Sequence, residues 1–152
     1  MIYSIEPQDF NPVFDVVSCF VICDGKIMLL HRAEHKPEGG TWGTVAGKKD
    51  QTDITLQHAM EREYKEETGN EIDEQLLAYH RVVYVRYPHR DFSYHVFSIE
   101  LPTPPVIHLR ENEHSEYVWI TPEEALRMDL VPDMAEVIME HFHLETPDYS
   151  NR

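Results

Sequence analysis

Residues 62–69 read R-E-Y-K-E-E-T-G, and this octapeptide places acidic side chains where a helix does not favour them. Glu63, Glu66 and Glu67 are spaced i, i+3 and i+4, so on a helix their carboxylates share one face. Like charges at i,i+4 cost a helix roughly 0.2–0.5 kcal/mol per pair, and acids in a last turn oppose the macrodipole. Gly69 predicts that last turn, because glycine adopts the left-handed conformation that ends many helices. The pattern therefore indicates a hard divalent cation with oxygen ligands, Mg²⁺ or Mn²⁺.

The segment around this helix, residues 46–70, resembles the Nudix box, whose pattern is G-x5-E-x7-R-E-U-x-E-E-x-G-U with U a bulky apolar residue. The positions that match are Gly47, Arg62, Glu63, Tyr64, Glu66, Glu67 and Gly69. The loop half departs from the pattern, because Asp53 stands where the family has Glu and one extra residue precedes Arg62. Counted backwards from Arg62, the same position falls on Ile54, and the final apolar position is Asn70. We favour the register with Asp53, since Asp performs much of what Glu does.

The resemblance implies an α/β fold, a Nudix-like α/β/α sandwich with a mixed sheet, and it implies roles for the box residues. Glu63, Glu66 and Glu67 would be the metal ligands. Arg62 would pair with Asp53 and brace the loop against the helix, and Glu63 would serve as a candidate general base for the attacking water.

A second acid in Nudix proteins often comes from a later segment, here residues 111–120. Glu113 and Glu116 both stand there, either as site residues or as part of a solvated loop, and Glu116 is the catalytic candidate. For substrate binding, the box loop places Gly47 and Lys48 near the phosphates, and Trp42 offers a ring face to a base. Core packing is the competing interpretation for Trp42.

Composition limits the classes of partner. Lys and Arg number 13 against 28 Asp and Glu, a formal net charge of -15, which argues against nucleic-acid and anionic-membrane partners. An enzyme this acidic needs bound cations or a local cluster of Lys and Arg to accept a phosphorylated substrate, and bound cations agree with the acidic helix face. Cys19 and Cys23 are expected to be buried free thiols, and the N-terminus has no signal-peptide pattern. We expect a cytoplasmic protein with a single domain over residues 1–152, and a homodimer is the family-level expectation.

Hydrophobic patterning predicts strands interleaved with helices. Asp24-Gly25 is a strong hairpin signal between two apolar runs. The predicted strands cover residues 13–23, 26–31, 44–47, 76–85, 92–101 and 116–120. Helices are predicted over residues 55–68, from Thr121-Pro122 onward and over 133–143, followed by a frayed tail after Glu145.

These observations together predict Mg²⁺-dependent hydrolysis of a phosphoanhydride bond in a nucleoside diphosphate derivative. The size of the chain favours a small nucleotide, a (d)NTP or a nucleotide sugar. Two alternatives remain at this stage. One is a non-catalytic Nudix module that binds a nucleotide or a protein, which the degenerate box loop favours. The other is an isomerase of the isopentenyl-diphosphate type, for which the resemblance would require a reactive Cys and a His-rich metal site.

Overall fold

The computed structural model describes residues 1–146, in which eight strands and three helices form layers around two cores. The strands are β1 (Ile2–Tyr3), β2 (Pro12–Cys23), β3 (Lys26–Arg32), β4 (Trp42–Gly43), β5 (Val45–Lys48), β6 (Leu77–Tyr87), β7 (Arg90–Glu100) and β8 (His114–Ile120). The helices are α1 (Leu56–Thr68), α2 (Pro122–Ala125) and α3 (Met134–Phe142).

The sheet is mixed, as predicted. Its strand order is β1-β6-β7-β2-β3-β4, with β5 added beside β2 and β8 beside β3. The β2–β7 pair is parallel, and the other strand pairs are antiparallel. After the tight Asp24-Gly25 turn, β2 and β3 pair only at Ile22↔Ile27 and Cys23↔Lys26. Farther from the turn β2 takes β5 as its partner, and β3 takes β4 and β8, so the two strands diverge and a cleft opens between them.

Each face of the sheet carries a core covered by helix, which confirms the α/β/α sandwich. The apolar stripe of α1, with Ala59, Met60 and Tyr64 buried, packs on one face. Helix α3 packs on the other face through Val137 and Ile138. Burial of the stripe supplies most of the stability of such short helices.

Local signals in the sequence form the ends of α1 and the first hairpin. Thr55 caps α1 by accepting a hydrogen bond from the His58 N–H at 3.0 Å. Gly69 ends it at φ 77° and donates its N–H to the Lys65 carbonyl. Asp24 and Gly25 both have positive φ, as the predicted turn requires.

Several boundaries differ modestly from the predictions. Strand β6 continues to Tyr87 and β7 begins at Arg90, so the turn between them is shorter than predicted, and β8 begins at His114. Cys19 and Cys23 are free and buried. Among residues 1–146, no helix is long and apolar enough to cross a membrane. The predicted frayed tail falls on residues 147–152, outside the described residues.

Candidate functional site

Arg62, on α1, joins the loop before the helix to the acidic face of the helix. Its Nε and Nη2 donate to the Asp53 carboxylate at 3.0 and 2.8 Å. Its Nη1 donates to Glu63 at 3.0 Å and to Glu66 at 3.2 Å, and Nη2 also reaches the Lys48 carbonyl at 3.0 Å. These ion pairs raise the pKa of Arg62, with the Asp53 hydrogen bond as the largest cause. One guanidinium therefore holds three carboxylates and the end of β5.

The residue that faces Arg62 shows which position of the loop, 53 or 54, corresponds to the Glu of the box. Asp53 is 6% exposed, and the hydrogen bond from Arg62 holds the pKa of its carboxyl below the usual range. Asp53 also accepts the Asp50 N–H at 3.0 Å. Ile54 is 80% exposed and points away from this network. The structure thus places Asp53, and not Ile54, opposite Arg62.

Gly47 lies where β5 meets α1, and its missing side chain makes room for Glu63. A Cβ on Gly47 would fall on the carboxylate of Glu63. Burial raises the pKa of Glu63 to about 7, with Glu66 and Glu113 as neighbouring negative charges, while Arg62 opposes the shift. The box glycine is therefore required for close approach and not for a left-handed backbone.

Glu67 is the most enclosed of the acids. It is 6% exposed, and it accepts one hydrogen bond, from the Ala46 N–H at 3.1 Å. Burial raises its pKa well above the ordinary value, and the nearby Glu63 and Glu113 add to that effect. A cation bound beside Glu67 would favour the ionised form of these carboxylates, whose oxygens are ligands that Mg²⁺ and Mn²⁺ accept. The residues present therefore fit the implied metal.

The pairing of β3 with β8 determines which acid of residues 111–120 lies near Glu63 and Glu67. Their register shifts by one residue, so that Glu116 is opposite His31 while His114 is opposite Arg32. Paired residues share a face of the sheet and successive residues alternate, so Glu116 lies on the face away from His114. Glu116 is exposed there, whereas the charge of Glu113 reaches both Glu63 and Glu67.

The residues predicted to bind substrate lie mostly outside the cavity wall. Trp42 pairs with His31 on the neighbouring strand, and the two ring centroids lie 4.6 Å apart, so one side of the indole packs against that imidazole. Its successor Gly43, and not Trp42, contributes to the cavity wall. Lys48 is exposed, and its ammonium lies 4.1 Å above the ring of Phe14.

A cavity of about 200 Å³ lies in the cleft between the diverging strands. Its charged and polar lining includes Arg32, Glu67, His114 and Asp133. Aliphatic and aromatic side chains make up the larger part of the wall, among them Val83, Val85, Phe92, Tyr94, Val131 and Val137. The arrangement is typical of a ligand site, a mostly apolar pocket with a few convergent polar groups.

His114 is a site residue that the sequence analysis did not name. It is buried beside Glu67 and Glu113, and burial lowers its pKa to about 4, assisted by the charge of Arg32. Its position directly after Glu113 was the available signal. The pattern rules for zinc-binding histidines search for paired histidines and therefore pass over it.

Cys19 bears on the isomerase alternative, which needs a reactive thiol. The thiol is fully buried in the core on the α1 face, and burial raises its pKa far above the ordinary range. A thiol without access to solvent or to a neighbouring base is a core residue and not a nucleophile. The geometry gives the isomerase alternative no support.

The fold and the acidic face of α1 define an enzyme that acts on phosphates, and comparisons with known proteins agree. The model of the NUDIX domain matches residues 13–141, and the chain belongs to this family. It is 34% identical over 124 residues to the CTP pyrophosphohydrolase of Escherichia coli (strain K12), covering 79% of this chain and 84% of that protein. This family and this relative identify the chain as a pyrophosphohydrolase acting on nucleotides.

Solved structures show the same fold. The solution structure of the E. coli ORF135 protein has a TM-score of 0.71 at 26% identity, covering 91% of this chain and 94% of that one. The NUDIX domain of Shewanella oneidensis NrtR, solved with ADP ribose, has a TM-score of 0.73 at 18% identity, covering 91% of this chain and 92% of that one. The second likeness shows the fold alone.

Proposed function

We propose that the protein hydrolyses a small nucleoside triphosphate, with a cytosine nucleotide preferred, to the monophosphate and pyrophosphate in the presence of Mg²⁺ or Mn²⁺. The similarity to a CTP pyrophosphohydrolase supports a triphosphate over a nucleotide sugar. The single observation that carries the proposal is the cavity, whose wall includes both Glu67 of the acidic cluster and a set of apolar and aromatic side chains.

The volume of the cavity suits one part of a nucleotide. At about 200 Å³ it is smaller than the roughly 300–1,000 Å³ of pockets that enclose whole drug-sized ligands. The apolar wall with Phe92 and Tyr94 suits a base, and the phosphates would extend past Glu67 to the acidic face of α1. A (d)NTP placed in this way brings its charged part to the cluster that holds the cation.

The box residues supply the groups that the reaction needs. Glu63, Glu66 and Glu67 would hold the divalent cation, which when bound neutralises charge on phosphoryl oxygens and promotes ionisation of water. Glu63 is the candidate to take the proton of the attacking water on a carboxylate oxygen. Arg62 orients Glu63 and Glu66 through one nitrogen and keeps the loop in place through Asp53.

Asp133 offers a physical basis for a cytosine preference. It contributes to the cavity wall and precedes α3 with a φ of 67°, in a conformation that Asp tolerates, and its side chain makes no capping bond to the helix. The carboxylate instead accepts the Tyr87 hydroxyl at 3.1 Å. A carboxylate that retains free acceptor sites can receive the exocyclic amine of cytosine, which uracil lacks.

The test is phosphorus-resolved product analysis in ¹⁸O-water with Mg²⁺ or Mn²⁺, over (d)NTPs, nucleotide sugars and ADP-ribose. We expect CTP to yield CMP and pyrophosphate, with turnover lost in Glu67→Gln. Glu71→Gln is the matched control, because Glu71 is 80% exposed and pairs only with the surface Lys65 in the described structure. Turnover that survives in Glu67→Gln would contradict the assignment of the metal site.

The base preference has its own test. Asp133→Asn keeps the shape and the backbone conformation but replaces one acceptor oxygen by a donor group. We expect kcat/KM for CTP to fall at least about tenfold while that for UTP changes little, as expected for loss of one good base contact. Equal losses for CTP and UTP would show that Asp133 does not read the base.

A further inference from the structure

His114 combines deep burial with an unused nitrogen. The side chain is 5% exposed, and within residues 1–146 its Nδ1 is buried without a hydrogen-bond partner. A buried imidazole nitrogen with nothing bound to it has lost its hydrogen bond to water without a replacement, so most buried histidines find a partner. The ring also contributes to the wall of the substrate cavity, where a ligand can reach it.

A backbone turn precedes β8 at Glu113 and His114, whose side chains both approach Glu67. The N–H groups of Glu113 and His114 both donate to the Arg110 carbonyl, at 2.9 and 2.8 Å. The Glu113 carbonyl accepts the Ala33 N–H at 2.9 Å, which ties this turn to the end of β3. A turn immediately before a shifted strand register releases the two side chains from the alternation of a regular strand.

The result is a compact donor set of two carboxylates and one imidazole. One ligand atom each from Glu67, Glu113 and His114 can be chosen so that all lie within 4.8 Å of one another. At that limit the three atoms would lie roughly 2.8 Å from a common centre, so each ligand would move by up to about 0.7 Å to form bonds of 2.0–2.1 Å.

A structural role in the core explains this geometry less well. His95, by contrast, places its nitrogens against the Asp15 carboxylate and the Tyr79 hydroxyl, at 2.8 and 3.0 Å. His141 also buries an Nδ1 without a partner, but among the described residues only His114 belongs to a group of three side chains that could hold a metal ion.

We propose that His114 is a nitrogen ligand to a divalent cation held between Glu67 and Glu113, so that the centre takes transition-metal dications in preference to Mg²⁺. Imidazole favours first-row transition metals, whereas Mg²⁺ favours an all-oxygen shell. This inference rests on the metal dependence in the proposed function, and it adds a ligand outside the box helix. Mn²⁺ and Co²⁺ are the expected occupants.

The test is pulsed EPR of the full chain loaded with Mn²⁺, without substrate, because coordinated imidazole gives a ¹⁴N coupling that oxygen ligands do not. Labelling histidine with ¹⁵N should replace that coupling by the ¹⁵N pattern. His114→Gln should bind Mn²⁺ about 10-fold more weakly without the nitrogen signal, while its affinity for Mg²⁺ should change less than threefold. His58→Gln, an exposed histidine on α1, is the control and should keep the signal.

The outcomes separate this inference from the proposed function. Bound Mn²⁺ without nitrogen coupling would overturn the role of His114 and leave the carboxylate site intact. A coupling that persists in His114→Gln would also overturn it. Failure of the wild-type chain to bind Mn²⁺ at all would overturn both. The spectrum of the wild-type protein with ¹⁵N-histidine decides the presence of an imidazole ligand even where a variant does not fold.

Discussion

Removing the carboxylate of Asp53 should destabilise the protein more than any other change in the box loop. Asp53 is 6% exposed and takes three contacts of 2.8–3.2 Å from Arg62, together with the Asp50 N–H. Breaking a buried ion pair costs about 3–5 kcal/mol when the remaining charge is left unpaired. Arg62 is 27% exposed and keeps Glu63 and Glu66, so the penalty is reduced. We expect Asp53→Ala to lower the free energy of unfolding by about 2–3 kcal/mol.

The measurement is urea denaturation at pH 7 with EDTA, so that metal binding does not contribute. For a chain of this size the loss corresponds to a fall in Tm of about 5–10 °C. A double-mutant cycle with Arg62→Met should return a coupling of about 2 kcal/mol, since each single change removes the same pair. Because the folded pKa of Asp53 is depressed, the contribution is present above the unfolded pKa near 4 and is lost as pH falls through the folded value.

Ile54→Glu is the matched control for the register. Its side chain is 80% exposed, so the change should alter stability by less than about 0.5 kcal/mol and should not rescue Asp53→Ala. The interpretation would be refuted if Asp53→Ala cost less than about 0.5 kcal/mol, or if Ile54→Glu raised stability or turnover. A gain from Ile54→Glu would favour the register in which position 54 takes the place of the box Glu.

Three further changes test other parts of the site and fold. Gly47→Ala puts a Cβ on the Glu63 carboxylate, and steady-state kinetics should show a loss in kcat/KM of about 100-fold for a displaced catalytic group. Glu67→Gln removes a carboxyl whose ionisation is disfavoured by burial and by Glu63, so calorimetry without metal should find Tm unchanged or raised; a clear fall would contradict this account. Burial holds the pKa of His141 at about 4, so the unfolded chain binds its proton first and stability falls between pH 6.5 and 4. His141→Leu should flatten that decline by about 1 kcal/mol at pH 5 in urea titrations, after a discount for partial exposure.

Patterns within short segments of the sequence predicted α1 and the hairpin between β2 and β3. The spacing of Glu63, Glu66 and Glu67 with a terminal Gly69 determines a helix face, because neighbours within a helix are set by its period. The pairing of Arg62 with Asp53 followed from the resemblance and a separation of nine residues. These features depend on residues close in sequence, and the structure shows them as expected.

The remaining site residues depend on how strands meet. The register shift between β3 and β8 moves Glu116 to the outer face and turns His114 inward, and no pattern within residues 111–120 signals it. Trp42 likewise packs against His31, a partner that only the β3–β4 pairing provides. Asp133 enters the cavity wall from the start of α3, far along the chain from the box. Placement across strands is a tertiary property, and one sequence gives little access to it.

The parallel pairing of β2 with β7 has a consequence for synthesis of the chain. Ile22 pairs with Glu100, so β2 leaves the ribosome long before the strand that completes it. At about 5–20 residues per second the delay is roughly 4–16 seconds. During that time the run V-S-C-F-V-I-C of β2 is apolar, rich in β-branched residues and free of charge, a composition prone to intermolecular strand pairing. The pairing that makes the finished sheet continuous therefore leaves one edge of β2 unpaired for longer during synthesis than the pairings of β2 with β3 and β5 do.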